Sequence, residues 1–231
     1  MNLSKTKIIG LFLGLAVLFG SCEAAKNTNR TQRGGAIGAA GGAVIGGVIG
    51  NNTGSGDNSV LGAIIGGVVG GAAGAYIGNR MDQQAKEIEE EIPGAEVTRV
   101  GEGINVVFDE NSGIYFETNK FDVNNQSELS LLKLINIFQK YPKTNITVEG
   151  HTDSTGRDTY NMELSKKRAE SVTNFLTRNG IDSSRIQTNW YGEEQPKYDN
   201  ATAEGRSKNR RVELAIVANE ELKEEARNRS E

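Results

Sequence analysis

Residues 146–172 read ITVEGHTDSTGRDTYNMELSKKRAESV, and the fold can be worked outward from this stretch. Ile146 and Val148 alternate with Thr147 and Glu149, the period-two pattern of a half-buried strand. Residues 150–159 are small and polar, as a loop requires, and a helix is expected to begin with Asp158 or Thr159 as its cap. On a helical wheel Leu164, Ala169, Val172, Phe175 and Leu176 share one broad face, and Asn161, Ser165 and Arg168 fall inside the same arc.

An arginine within an apolar stripe is costly unless its charge meets an anion and its donors are matched. Asp153, on the loop before the helix, is the nearest acidic candidate in this stretch. One reading is a buried Asp153–Arg168 ion pair that only fixes the loop. The other is a cleft for a zwitterion, with Asp153 accepting an ammonium and the forked guanidinium of Arg168 gripping a carboxylate. Spacing alone leaves both open.

The run Thr152-Asp153, ten residues, Leu164-Ser165, two residues, Arg168-Ala169, two residues, Val172 resembles the peptidoglycan-associating signature of the OmpA C-terminal-like family. The likeness extends to FETN at 116–119, YP at 141–142, NGI at 179–181 and GRSKNRRVEL at 205–214, and it covers about half the chain, residues 100–218. It implies non-covalent binding of the diaminopimelate in the peptidoglycan stem peptide. Asp153 would take the ammonium and Arg168 the carboxylate, with Asn119, Thr152, Asn161 and Arg210 lining the same pocket. It implies no cofactor.

Toward the N-terminus, residues 1–21 carry Lys5 and Lys7, an apolar run from Ile8 to Phe19, then Gly20-Ser21 before Cys22. This pattern is expected to be a lipoprotein signal peptide, leaving Cys22 as the lipidated N-terminus. Cys22 is the single cysteine of 231 residues, so no intramolecular disulfide is open to the chain. Residues 22–33 read as a polar tether.

Residues 34–78 hold two arms, 34–50 and 60–78, in which glycine returns at every fourth position, as at Gly34, Gly38, Gly42 and at Gly62, Gly66, Gly70. That phase lines glycines along one helix face and lets two backbones approach, so a glycine-zipper helical hairpin with membrane contact and self-association is expected. Between Gly34 and Asn79 the one charged residue is Asp57, in the turn. A flexible glycine-rich linker is the competing reading. Residues 79–94 read as a charged helical connector stopped at Pro93-Gly94.

Residues 95–218 are expected to form an α+β domain, a mixed sheet with helices packed on one face. A hairpin is predicted around Gly101-Glu102-Gly103, with residues 114–116 continuing the strand set. Leu129, Leu132, Ile135 and Phe138 recur at helical spacing behind a cap region at 124–127. Asn179-Gly180 closes the second long helix. Residues 186–191 form the next strand, 198–205 a loop and 212–217 the last strand. Residues 219–231 are a charged tail with no readable role.

A net charge of -4 offers no reason to expect nucleic acid. His151 is the only histidine; it completes neither a metal set nor a nucleophile–base–orienter triad, so no enzyme is expected and a loop-ordering role is preferred. No stretch before residue 95 shows the repeated alternating strands of a transmembrane barrel. The sequence therefore points to a lipid-anchored outer-membrane protein whose C-terminal domain lies in the periplasm, binds peptidoglycan and ties membrane to wall. The alternative is a module that docks another envelope protein.

Overall fold

A computed structural model describes residues 69–230 apart from Asn111 and Thr118. The signal peptide, Cys22, the tether and the first glycine arm lie outside the described residues, as do residues 60–68 of the second arm. No described helix is long and apolar enough to cross a membrane.

Helix α1 (Gly71–Glu91) leads into the hairpin β1 (Glu96–Val100) and β2 (Gly103–Phe108). Helix α2 (Asn125–Lys140), strand β3 (Thr144–Gly150) and helix α3 (Asp158–Arg178) follow. Beyond a 3-10 turn at Ser183–Arg185 come β4 (Ile186–Trp190), a short α4 (Ala203–Asn209), β5 (Val212–Ala218) and α5 (Glu220–Asn228). The five strands are ordered β1-β2-β5-β3-β4, antiparallel except for the parallel β3/β4 pair. The expected mixed α+β sheet is therefore what forms.

Alternate residues sort the sheet into two faces. Ile104, Val106, Phe108, Ile146, Val148, Val212, Leu214 and Ile216 join the apolar core with residues from the long helices. The opposite face carries Asn105, Thr147, Glu149, Glu213 and Ala215, and these too are buried. β3 is thus covered on both sides, not half-buried, because it lies between β5 and β4, and the Glu213 that faces its Glu149 from β5 is ion-paired with Arg211 and Lys197.

Helix ends follow local chemistry. Asn124 caps α2 by accepting from the Ser127 N–H (2.9 Å). α3 ends at Gly180 (φ 93°), with Gly180 N donating to Thr177 O and Ile181 N to Leu176 O. These are the two reverse bonds of a Schellman end, sealed by buried Leu176 and Ile181.

The structure corrects several expectations. α1 runs through the expected boundary at residue 78, and Ala73, Ile77, Met81, Ala85 and Ile88 enter the domain core. Residues 71–91 therefore form one helix that packs into the folded unit across that boundary. The charged tail is helix α5, whose Leu222 and Ala226 are buried and whose Glu225 accepts from Tyr76 of α1 (2.8 Å) and Lys143 (3.0 Å). In α2 the buried stripe is Leu131, Leu134, Ile135 and Phe138, while Leu129 and Leu132 are exposed. Residues 114–117 form no strand: the Tyr115 N–H and carbonyl are taken by Ser127 and Asn124 side chains instead. Residues 203–205, placed in a loop, open α4 with Thr202 as its cap.

Candidate functional site

Register brings the site together. Phe108 of β2 and Gly150 of β3 both lie opposite Val212 of β5. Glu110 just past β2, Arg210 just before β5 and the loop after β3 therefore meet at one end of the sheet. Parallel β4 finishes at the same end and delivers Gly192 and Glu193.

α3 sits against β3 at backbone distance. A Cβ on Gly150 would lie 2.2 Å from the Ser165 carbonyl oxygen, so only glycine admits the approach. Ser165 Oγ accepts from Gly192 N (2.9 Å) and donates to Met162 O (2.8 Å), which locks the loop after β4 onto the helix. Ser165 in the motif is thus a packing residue, and its neighbours Asn161 and Arg168 reach the site.

Asp153 is 6% exposed. Its Oδ1 accepts from Thr155 N (2.8 Å), and its Oδ2 accepts from Arg210 Nη1. Burial pushes its carboxyl pKa up, but the Thr155 N–H and Arg210 outweigh burial and hold it below the usual range. Arg210 turns Nε and Nη2 to both oxygens of Glu110, and this two-point ion pair keeps the Glu110 carboxyl low and raises the arginine further. Ser207 Oγ donates to Glu110 Oε2 (2.7 Å).

Arg168 is 3% exposed. It donates from Nε to Lys120 O (3.0 Å) and from Nη2 to Glu117 O (3.4 Å), and it stacks 5.1 Å over the Phe116 ring. Among the described residues it forms no ion pair and its Nη1 makes no hydrogen bond. Burial and the like charge of Arg210 bring its pKa down to about 10, so it stays cationic at neutral pH. The Asp153–Arg168 ion pair, one of the two readings that spacing left open, is not formed: Arg210 holds the aspartate, and Arg168 is turned to the backbone of residues 117–120.

That same turn positions Asn119, whose backbone is left-handed (φ 59°) and whose Oδ1 accepts from Tyr160 OH (3.1 Å). Asn161 donates from Nδ2 to Asp153 O (3.2 Å), Thr155 O (3.2 Å) and Glu193 Oε2. Thr152 N donates to Gly192 O (2.8 Å), while its buried Oγ1 has no hydrogen-bond partner. All six expected residues fall on elements at this end of the sheet. Glu110, Phe116, Tyr160 and Glu193 join them through antiparallel register or loop closure, which no local pattern displays.

His151 lies apart from the cleft, on the far face of the sheet. It stacks on Tyr191 at 5.4 Å, and neither ring nitrogen has a hydrogen-bond partner. Burial and Arg211 push its pKa down to about 3. Its Nε2, 3.9 Å from both Glu149 and Glu213, therefore contributes no ion pair at neutral pH. Among the described residues no cluster of His, Cys, Asp or Glu is placed to hold a metal.

Against known proteins, residues 115–210 match the OmpA family and residues 1–82 match the YMGG-like Gly-zipper. Residues 115–210 are an OmpA family domain. The chain is 34% identical over 140 residues to probable lipoprotein YiaD of Escherichia coli (strain K12), covering 61% of this chain and 64% of YiaD. It is 34% identical over 111 residues to outer-membrane lipoprotein YfiB of Pseudomonas aeruginosa, covering 48% of this chain and 66% of YfiB. The chain thus spans just under two thirds of either relative. The cell wall anchor of the T6SS from Pseudomonas aeruginosa superposes with a TM-score of 0.52 at 26% identity, covering 60% of this chain and 97% of that one. The OmpA family match begins at Tyr115, whereas α1 packs into the same core, so the Gly-zipper match (residues 1–82) reaches into the domain's core.

Proposed function

We propose that this protein binds peptidoglycan non-covalently through the diaminopimelate of its stem peptide, and so ties the cell wall to the outer membrane. One observation carries the reading: Arg168 is buried, cationic and without a carboxylate, at the same end of the sheet as the ionised Asp153. A buried guanidinium without an anion is costly, and a ligand carboxylate would supply one in two-point geometry. Asp153 takes the ligand ammonium. Thr152 Oγ1, which has no hydrogen-bond partner among the described residues, offers a further polar contact, and Asn119, Asn161 and Arg210 line the rim. The domain acts by binding, without catalysis.

The relatives support this. YiaD and YfiB are described as lipoproteins, YfiB as an outer-membrane one, and the T6SS neighbour as a cell wall anchor. In this reading Cys22 carries the lipid, residues 34–70 add membrane contact and self-association, and the OmpA domain faces the periplasm. The test is cosedimentation of the full chain with purified sacculi, with free diaminopimelate as competitor. Retention that the competitor does not reduce would reject the cleft as the wall-binding site. Cys22→Ser should block lipoprotein processing of the precursor, and unchanged processing together with unchanged membrane fractionation would reject the lipid anchor.

A further inference from the structure

We propose that Glu110 makes the cleft selective for ligands that carry an ammonium beside their carboxylate, by restraining Arg210 from full engagement with Asp153; this rests on the diaminopimelate reading above. Arg210 gives two of its donors to Glu110 and reaches Asp153 with Nη1 alone. Glu110 is fixed in turn by Ser207, which lies on α4 one turn before Arg210. On Asp153, Oδ1 accepts from Thr155 N and Oδ2 from Arg210 Nη1, so an ammonium that binds Oδ2 shares that oxygen with Arg210. A carboxylate oxygen has two lone pairs, and one donor from Arg210 leaves room for a second.

Charge balance points the same way. Asp153, Glu110 and Glu193 bring three negative charges and Arg168 and Arg210 two positive ones, so a zwitterionic ligand end enters without changing the sum while a plain diacid adds to the negative side. With glutamine at 110, Arg210 loses its two-point partner and Asp153 becomes its remaining carboxylate. The site loses one negative charge beside the place the ammonium takes, while Arg168 remains ready for a carboxylate. The variant therefore tilts toward plain diacids.

The experiment is calorimetric titration of the full chain in detergent with meso-diaminopimelate and with pimelate, the same carbon chain lacking both amines. The parent should prefer diaminopimelate, and Glu110→Gln should shrink that preference by about tenfold, the size expected when one charge-assisted contact is lost. Ser207→Ala removes one of the two donors to Glu110 Oε2, leaves Glu110 less firmly held, and should move the ratio the same way by about twofold. A general loosening of the domain would weaken both ligands together and leave the ratio unchanged. An unchanged ratio in folded Glu110→Gln overturns the proposal; if that variant fails to fold, an unchanged ratio in Ser207→Ala overturns it. A parent that binds neither ligand rejects the diaminopimelate reading itself.

Discussion

Asp153 is held by Arg210 and not by Arg168, although both guanidiniums belong to the same end of the sheet. Removing Arg168 therefore leaves Asp153 with its partner, and the large cost of orphaning a buried charge does not arise. Arg168→Met gives up two bonds to carbonyls and the stacking on Phe116, and it relieves the burial of an unmatched charge. Its melting temperature should stay within a few degrees of the parent. Binding to sacculi should fall by about tenfold or more, since a charge-assisted hydrogen bond is worth about 1.5–3 kcal/mol. Arg168→Lys keeps the charge but not the fork, and should bind between the two. Full binding by a folded Arg168→Met protein would contradict the assignment.

The approach of α3 to β3 predicts opposite outcomes for one substitution at two glycines. Gly150→Ala places a methyl 2.2 Å from Ser165 O and must push away the helix that carries Asn161 and Arg168. Stability should drop by about 2–3 kcal/mol, with weaker binding alongside. Gly78 of α1 has open space where a Cβ would go, so Gly78→Ala should stabilise by about 0.5–1 kcal/mol and leave binding untouched. Thermal melts of the two variants beside the parent test both signs.

The strands, long helices and charged residues of the cleft were legible because their signals are local. Alternation marks β3 and β5, Gly180 marks the end of α3, and the Asp153-to-Arg168 run is continuous in the chain. What was illegible depends on register. Glu110 meets Arg210 only because Phe108 and Gly150 both oppose Val212, and that pairing, which also decides that Asp153 goes to Arg210, has no trace in spacing. α5 was missed for a related reason. Two buried residues in nine, Leu222 and Ala226, make a weak stripe, and their partner is a helix on the far side of the sequence. The end of the glycine arm misled because Gly74 and Gly78 keep the four-residue phase while Ala73 and Ile77, one position earlier, turn into the domain core.

α1 also offers a stabilising substitution. Gln84 is fully buried, and neither its amide nitrogen nor its oxygen has a hydrogen-bond partner. An unsatisfied buried polar group costs about 1–3 kcal/mol. Methionine has nearly the same length and flexibility and carries no such debt, so Gln84→Met should raise the urea midpoint at unchanged slope. A lowered midpoint would mean that the amide makes contacts important to the fold.

His151 makes stability depend on pH in a window where few other groups titrate. In the folded domain its pKa lies at about 3 because burial and Arg211 oppose the imidazolium, while in the unfolded chain it returns to its ordinary value of 6.5. Below 6.5 the unfolded state therefore binds a proton that the native state refuses, and stability falls with falling pH by up to about 1.4 kcal/mol per unit until about pH 3. Glu213 adds to the slope only lower down. Arg211 and Lys197 overcome its burial and hold its pKa at about 2, so its contribution, present above 4.5, is lost as the pH falls toward 2. Glu102, whose carboxyl burial raises, titrates alike in parent and in a His151 variant, so the difference between the two over pH 6.5 to 5 isolates the histidine. Between pH 7 and 5 the parent should lose about 2 kcal/mol in urea unfolding. His151→Phe keeps an aromatic ring against Tyr191 and removes two buried nitrogens that have no partner. Its stability should be nearly flat over the same interval, and at pH 5 it should exceed the parent's. Parallel slopes for parent and variant would show that His151 is not the group excluded from protonation.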